Sequence, residues 1–141
     1  MSKRQDPALR LMLVDDSAEE AEGIVSGLRN AGIAVRPVRP LNKDELGAAL
    51  MGQPVDLILA GHPCRSVPLK DVEQQVTASG KDIPLVAVVE HVDTDSFSEL
   101  LDGIVRALAL RHKPPQILAT VRREWADLEA RRAQRRLETQ V

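Results

Sequence analysis

Five short apolar runs punctuate the chain: Leu9–Val14, Ile33–Val38, Val55–Ala60, Leu85–Val89 and Val105–Leu110. Each has strand length, and several are apolar at every position, the pattern of strands covered on both faces in a parallel sheet. Between them the period changes to that of a helix. Ser17-Ala18-Glu19-Glu20 is a capping box, followed by Ala21, Ile24, Val25 and Leu28 on one face. Gly32 stands where a helix end favours a left-handed residue. Asn42-Lys43-Asp44-Glu45 opens a second helix with Leu46, Ala49 and Leu50 inward. Pro68 starts a third, with Leu69, Val72 and Val76 inward and Gly80 as its stop. Thr94 or Asp95 caps a short fourth carrying Phe97, Leu100 and Leu101.

Strands alternating with helices require right-handed crossovers and helices on both faces of the sheet. The pattern therefore predicts a flavodoxin-like, doubly wound α/β domain with five parallel strands in the order 2-1-3-4-5. Strands 1 and 3 then meet at the topological switch point, where such folds place their sites.

The closing segment breaks the rhythm. After Pro114-Pro115 a helical pattern runs toward Leu137, with Ile117, Leu118, Val121, Trp125 and Leu128 as an apolar stripe and an arginine-rich end. A helix of ~23 residues is about twice the mean length of 11–12. The excess predicts a division into an unstructured start (1–7), a domain (8–125) and a protruding helix or linker (126–141). No stop signal precedes Val141, so further domains are expected downstream. Trp125 and Leu128, exposed on such a helix, would suit a partner helix, and a homodimer through this helix is the expected assembly.

Composition narrows the function classes. The chain has one Phe, one Trp and no Tyr, which argues against aromatic platforms for single-stranded nucleic acid. A net charge of −2 offers no general attraction to nucleic acid or to an anionic membrane. No apolar run approaches the ~20 residues of a membrane span, and the polar start resembles no signal peptide. A lone cysteine, Cys64, fits a cytoplasmic protein.

Candidate chemistry is confined to the strand ends. Strand 1 runs into Asp15-Asp16-Ser17, an acid pair of the kind that holds a divalent metal, and a third carboxylate at the end of strand 3 would complete such a site. That position is Gly61, which has no side chain. A weak Mg²⁺ site is the most that Asp15 and Asp16 support alone, so no cofactor is expected. Their alternative role is to cap the first helix and meet its positive N-terminus. Lys113, if it reaches the crevice, would neutralise the pair. His62 and Cys64 lie in the loop after strand 3 without an adjacent base, His91 and His112 show no ligand spacing, and no nucleophile motif or phosphate loop is present.

Together, Leu11–Ser17 with its acid pair, the Asp56–Ala60 strand, Ile83-Pro84-Leu85-Val86 and Lys113-Pro114 resemble the receiver domain of bacterial response regulators over residues 8 to 125. The resemblance implies a phosphoacceptor aspartate at the Gly61 position and a Ser or Thr at the Val89 position, both lost here. It also implies a lysine at the end of strand 5. Lys113-Pro114 is one candidate, whereas a gapless count from Gly103 points to Leu110; an aromatic switch residue falls near Ala107 or Leu108. Asp16–Glu22, Arg29–Gly32 and Arg122–Ala133 are further similar to the N-terminal receiver-like domain of FimX-type proteins, cyclic-di-GMP signalling proteins linked to type IV pili and twitching motility. What the resemblance implies is a receiver-like interaction or dimerisation module that accepts no phosphoryl group and is not an enzyme. The alternatives are a phosphorelay receiver with an atypical acceptor and a small-molecule sensor at the switch point.

Overall fold

The computed structural model describes residues 8–140. The stretch 1–7, expected to be unstructured, and Val141 lie outside the described residues. The elements alternate as the apolar pattern predicts: β1 (Leu9–Val14), α1 (Ala18–Asn30), β2 (Val35–Val38), α2 (Lys43–Gly52), β3 (Leu57–His62), α3 (Leu69–Ser79), β4 (Leu85–Val89), α4 (Thr94–Leu101), β5 (Val105–Leu110) and α5 (Pro114–Gln140). All strand pairs are parallel, in the order β2-β1-β3-β4-β5.

Strand alternation sorts the core into two layers. Leu9, Leu11 and Leu13 of β1, with Leu57, Leu59, Val86 and Val88, meet Val25 and Leu28 of α1 and Val121 of α5. Met12, Val14, Ile58, Ala60, Leu85 and Ala87 face the other way, onto Leu46 and Leu50 of α2 and Val72 and Val76 of α3. Both faces are covered, which is why these strands read as unbroken apolar runs.

The helix ends follow local chemistry, with one departure. Ser17 Oγ accepts from the Glu20 N–H at 3.1 Å, and Asn42 Oδ1 accepts from the Glu45 N–H at 2.9 Å. Glu45 completes the second cap by accepting from the Leu41 N–H. Glu20 does not return to Ser17; its carboxylate turns to Arg111 instead, and the Ser17 N–H goes to Asp15. Gly32 and Gly80 take the positive φ values, 94° and 70°, that their places after helices call for. α4 begins at Thr94, and the Phe97 N–H donates to the Asp93 carbonyl, so Asp93, not Thr94 or Asp95, precedes the first turn.

Three features differ from the sequence expectation. β3 starts at Leu57 and continues to His62, which places Gly61 inside the ladder opposite Val88. The pairing of β4 with β5 carries a bulge: Leu85 faces Val105 but Val86 faces Ala107, leaving Arg106 as an extra residue. The largest difference is α5, which does not leave the domain after residue 125. Leu128 is 0% exposed, and Trp125 packs against the layer shared with α1. Beyond them Arg132 pairs with the buried Asp56 at 3.0 Å, and Arg131 grips Asp82 through two bonds of 2.8 and 3.1 Å. Arg135 adds a further bond to Asp82. Asp56 and Asp82 lie just before β3 and β4, so the helix is pinned beneath the N-terminal edge of the sheet. Of the apolar stripe, Ile117, Val121 and Leu128 are buried within the domain, whereas Leu118 and Trp125 are partly buried.

Candidate functional site

The C-terminal ends of β1, β3, β4 and β5 frame an open crevice of about 540 Å³, lined by Asp15, Asp16, Glu20, His62, Glu90 and Arg111 among others. It is the switch-point position where ligands of doubly wound folds bind. The two acids that the sequence places there have separate tasks. Asp15 is 8% exposed. Its Oδ1 accepts from the Ser17 N–H at 3.0 Å and its Oδ2 from Arg111 Nη1 at 2.8 Å. Asp16 points to the β3–α3 loop, where its oxygens accept from the Arg65 N–H (2.8 Å), the Ser66 N–H (3.0 Å), Ser66 Oγ (2.8 Å) and Cys64 Sγ (3.4 Å). The backbone bond from Arg65, then those from Ser66, hold this carboxyl well below the usual carboxylate range. Asp16 thus folds the loop, and Cys64 is buried behind it.

Arg111 is the residue that sequence reasoning missed. It follows β5 directly, its N–H donating to the Val89 carbonyl at 2.7 Å. Its guanidinium pairs with Asp15 and Glu20, and its Nε lies 3.9 Å from Glu90 Oε2. Only 17% of the side chain is exposed. Burial opposes the charge, but hydrogen bonds and attraction from Asp15 and Glu20 outweigh it and raise the pKa of Arg111 above its ordinary value. A β-carbon placed on Gly61 would stand 2.7 Å from Arg111 Nη2, 3.4 Å from the Val14 carbonyl and 3.5 Å from Asp15 Oδ2. The guanidinium therefore fills the space that a side chain at position 61 would need. The bulge at Arg106 puts it there: the extra residue pairs Leu110 with Val89, so the residue one further along reaches the crevice.

Lys113 is not part of the site. It is exposed in the turn before α5, donating its N–H to the Leu110 carbonyl, and makes no ion pair among the described residues. The cation that meets Asp15 is Arg111 because the turn at 111–113 carries Lys113 past the crevice. Val89 ends β4 as a buried aliphatic residue. On α5, Ile117 and Leu118 stand in the first turns, where they line a neighbouring cavity with Glu20 and Arg111, whereas Val121, Trp125 and Leu128 lie farther along the helix, packed within the domain.

A Mg²⁺ ion does not fit this arrangement. Gly61 supplies no oxygen, the Asp16 oxygens are taken by donors from residues 64–66, and a fixed positive charge already contacts Asp15. Mg²⁺ needs several oxygen ligands in octahedral geometry and tolerates no cation against its carboxylate. Among the described residues no group of three or more His, Cys, Asp or Glu is arranged to hold a metal, and no helix is long and apolar enough to cross a membrane.

No protein-family model matches the chain, and no curated protein matches it. Solved structures do. The signal receiver domain of a putative LuxO repressor protein from Vibrio parahaemolyticus superposes with a TM-score of 0.77 at 12% identity, covering 90% of this chain and 97% of that one. A CheY-like response regulator receiver domain from Methanospirillum hungatei JF-1 gives 0.72 at 14% identity, covering 89% and 99%. The N-terminal domain of a response regulator/sensory box/GGDEF three-domain protein from Carboxydothermus hydrogenoformans gives 0.69 at 18% identity, covering 86% and 98%. With its strand order, its two helical layers and an acid pair at the end of β1, the chain has the CheY-like fold of response regulator receiver domains.

Proposed function

We propose that this domain works in signal transduction as a receiver-like interaction module that accepts no phosphoryl group. One observation carries the reading: the Arg111 guanidinium, bonded to Asp15, fills the room beside Gly61, the position that the receiver resemblance gives to the acceptor. Phosphoryl transfer to a carboxylate needs an acceptor oxygen and a metal that neutralises developing charge. Here the first is absent, and the permanent charge of Arg111 stands against the second. Val89, where the receiver resemblance implies a hydroxyl, would not report a bound phosphoryl group. Arg111 also takes the part that the resemblance assigns to a strand-5 lysine, but turned inward as a fixed partner of Asp15. The finer assignment, to the receiver-like domain of a FimX-type protein in cyclic-di-GMP signalling and type IV pilus function, rests on Asp16–Glu22, Arg29–Gly32 and Arg122–Ala133. A structural neighbour that is itself the N-terminal domain of a response regulator/sensory box/GGDEF protein is in keeping with it. In that setting α5, held along the domain, would set the direction in which following domains leave.

Incubation of the whole chain with Mg²⁺ and acetyl phosphate, followed by intact mass measurement, tests the proposal. The expected result is an unchanged mass. A stable gain of one phosphoryl group, mapped to any side chain of the crevice, would overturn it.

A further inference from the structure

Beside the crevice a second hollow lies between α1 and the first turns of α5. Its volume is about 680 Å³, within the range of roughly 300–1,000 Å³ that small-molecule pockets occupy. Ile24, Leu28, Pro114, Pro115, Ile117 and Leu118 give it an apolar lining. Leu28 and Ile117 are buried, and Ile24 and Leu118 pack partly buried against the same core layer. The lining is therefore part of the folded core. α5 is tied in place beside the hollow: Gln116 Oε1 accepts from the Leu110 N–H at 2.6 Å, and Arg122 Nη2 donates to the Ala31 carbonyl at 3.1 Å. Two glycines of α1 keep the space open. Gly23 and Gly27 stand one turn apart, and a β-carbon on either would meet nothing within 4 Å. Neither takes the positive φ of Gly32 and Gly80. Glycine is the poorest helix former after proline, and here neither the backbone nor a packed neighbour calls for it. What the missing side chains preserve is the volume of the hollow.

The charged and titratable groups of the lining are Glu20, Arg111 and His112. Glu20 and Arg111 also line the crevice, so they mark where the two spaces meet. Arg111 Nη1 donates to both Asp15 and Glu20, and its Nε lies 3.9 Å from Glu90 Oε2. These carboxylates offset the guanidinium, so an anionic head group would be set against them. A cationic head group would be set against Arg111 itself. The bond from Arg111 engages Glu20 Oε1, which leaves Oε2 to accept from a further donor. The balance of charge thus selects a neutral ligand that donates a hydrogen bond.

We propose that this hollow binds an uncharged, mainly apolar small molecule, of two or three rings in size, with one hydrogen-bond donor that meets Glu20. Burial against Ile24, Leu28, Ile117 and Leu118 supplies the affinity, and the bond to Glu20 fixes the orientation. The site goes beyond the interaction role above and does not rest on it. Its occupant is a small molecule, not a protein surface, and phosphoryl chemistry has no part in it.

The test uses the full chain and N-phenylnaphthylamine, a neutral aromatic probe with one N–H whose fluorescence rises in apolar surroundings. Titration should give a saturable rise at one molecule per chain, and amide NMR shifts should change most within residues 20–28 and 111–118. Gly23→Leu and Gly27→Leu fill the hollow from α1, and each should weaken binding by about tenfold or more. Their melting temperatures should stay level or rise, because leucine is the better helix former and its β-carbon enters open space. Ser26→Leu, on the same helix but outside the lining, should leave binding unchanged. Two relatives of the probe check the head group: the N-methyl derivative, which has no donor, and anilinonaphthalene sulfonate, which is an anion. Each should bind about fivefold or more weaker. The proposal is overturned by the absence of saturable binding, by shifts centred elsewhere, by binding that survives both leucine changes, or by equal affinity for either relative. A concentration-dependent dimer that Gly27→Leu dissociates would also overturn it, because the hollow would then belong to a second copy of this chain. The phosphodonor experiment reads a different property, so the two ideas can fail separately.

Discussion

Replacing Arg111 with alanine strands Asp15, and the structure sets the size of the penalty. Asp15 is 8% exposed, and among the described residues Arg111 is the cation that meets its carboxylate, at 2.8 Å, while also neutralising Glu20. Removing one member of a buried pair typically costs 3–5 kcal/mol, because the other charge remains desolvated. The crevice is open on one side and Glu20 is half exposed, so water recovers part of that loss; a cost of about 2–3 kcal/mol is expected. For a domain of this size that lowers the melting temperature by roughly 6–15 °C. Urea unfolding followed by far-UV circular dichroism at pH 7 and low salt measures it. The control is a double-mutant cycle with Asp15→Asn. If the penalty comes from the unpaired carboxylate, the Arg111→Ala/Asp15→Asn chain should recover at least about 1 kcal/mol relative to additivity. Glu20→Gln, which breaks the more exposed bond, should cost under about 1 kcal/mol. An Arg111→Ala protein within about 0.5 kcal/mol of the parent would refute the reasoning, since it would place the guanidinium on the surface in solution.

Gly61→Val should expel the same guanidinium; it should cost as much as Arg111→Ala, and the two together little more than either, as read by melting curves. Leu128→Ala, in a fully buried position, should destabilise by about 2–4 kcal/mol in urea, whereas a residue of a protruding linker would tolerate the change within about 0.5 kcal/mol. Asp82→Asn should loosen the last turns of α5, seen as faster amide exchange over 130–139 with the sheet unchanged. Asp82 is held at about 2, below its ordinary 3.8, first by the hydrogen bond from Arg131. With the folded pKa depressed, the stability it lends is complete above about pH 4 and is lost as pH falls toward 2, so acid alone should bring the same loosening. Asp16→Ala should free the 64–66 loop and expose Cys64 to Ellman's reagent, which should leave the parent protein largely unlabelled while folded.

The elements themselves were legible because their signals are local. An apolar run covered on both faces, as at Leu85–Val89, marks a buried parallel strand whatever lies elsewhere in the chain. Ser17 and Asn42 cap their helices through bonds to residues three positions away. Asp15, Asp16 and Gly61 could be placed in one crevice because strand order follows from the α/β alternation. What escaped sequence reasoning is non-local. Arg111 reaches the crevice through a bulge at Arg106, and one extra residue in a strand leaves no mark on composition or period. The stripe of Ile117, Val121 and Leu128 looks the same whether it covers the parent sheet or a partner. It was the remote Asp56 and Asp82, paired with Arg132 and with Arg131 and Arg135, that decided between them. α5 is longer than an ordinary closing helix, and its arginines do more than solvate a free end.

A positive group that belongs to the polypeptide has consequences a bound ion would not have. Its effective concentration at Asp15 is set by the tether of a side chain rather than by the ionic composition of the cell, and no chelator can strip it out. Nor does it dissociate with time, so the charge set against Asp15 is the same whatever the ionic surroundings of the domain.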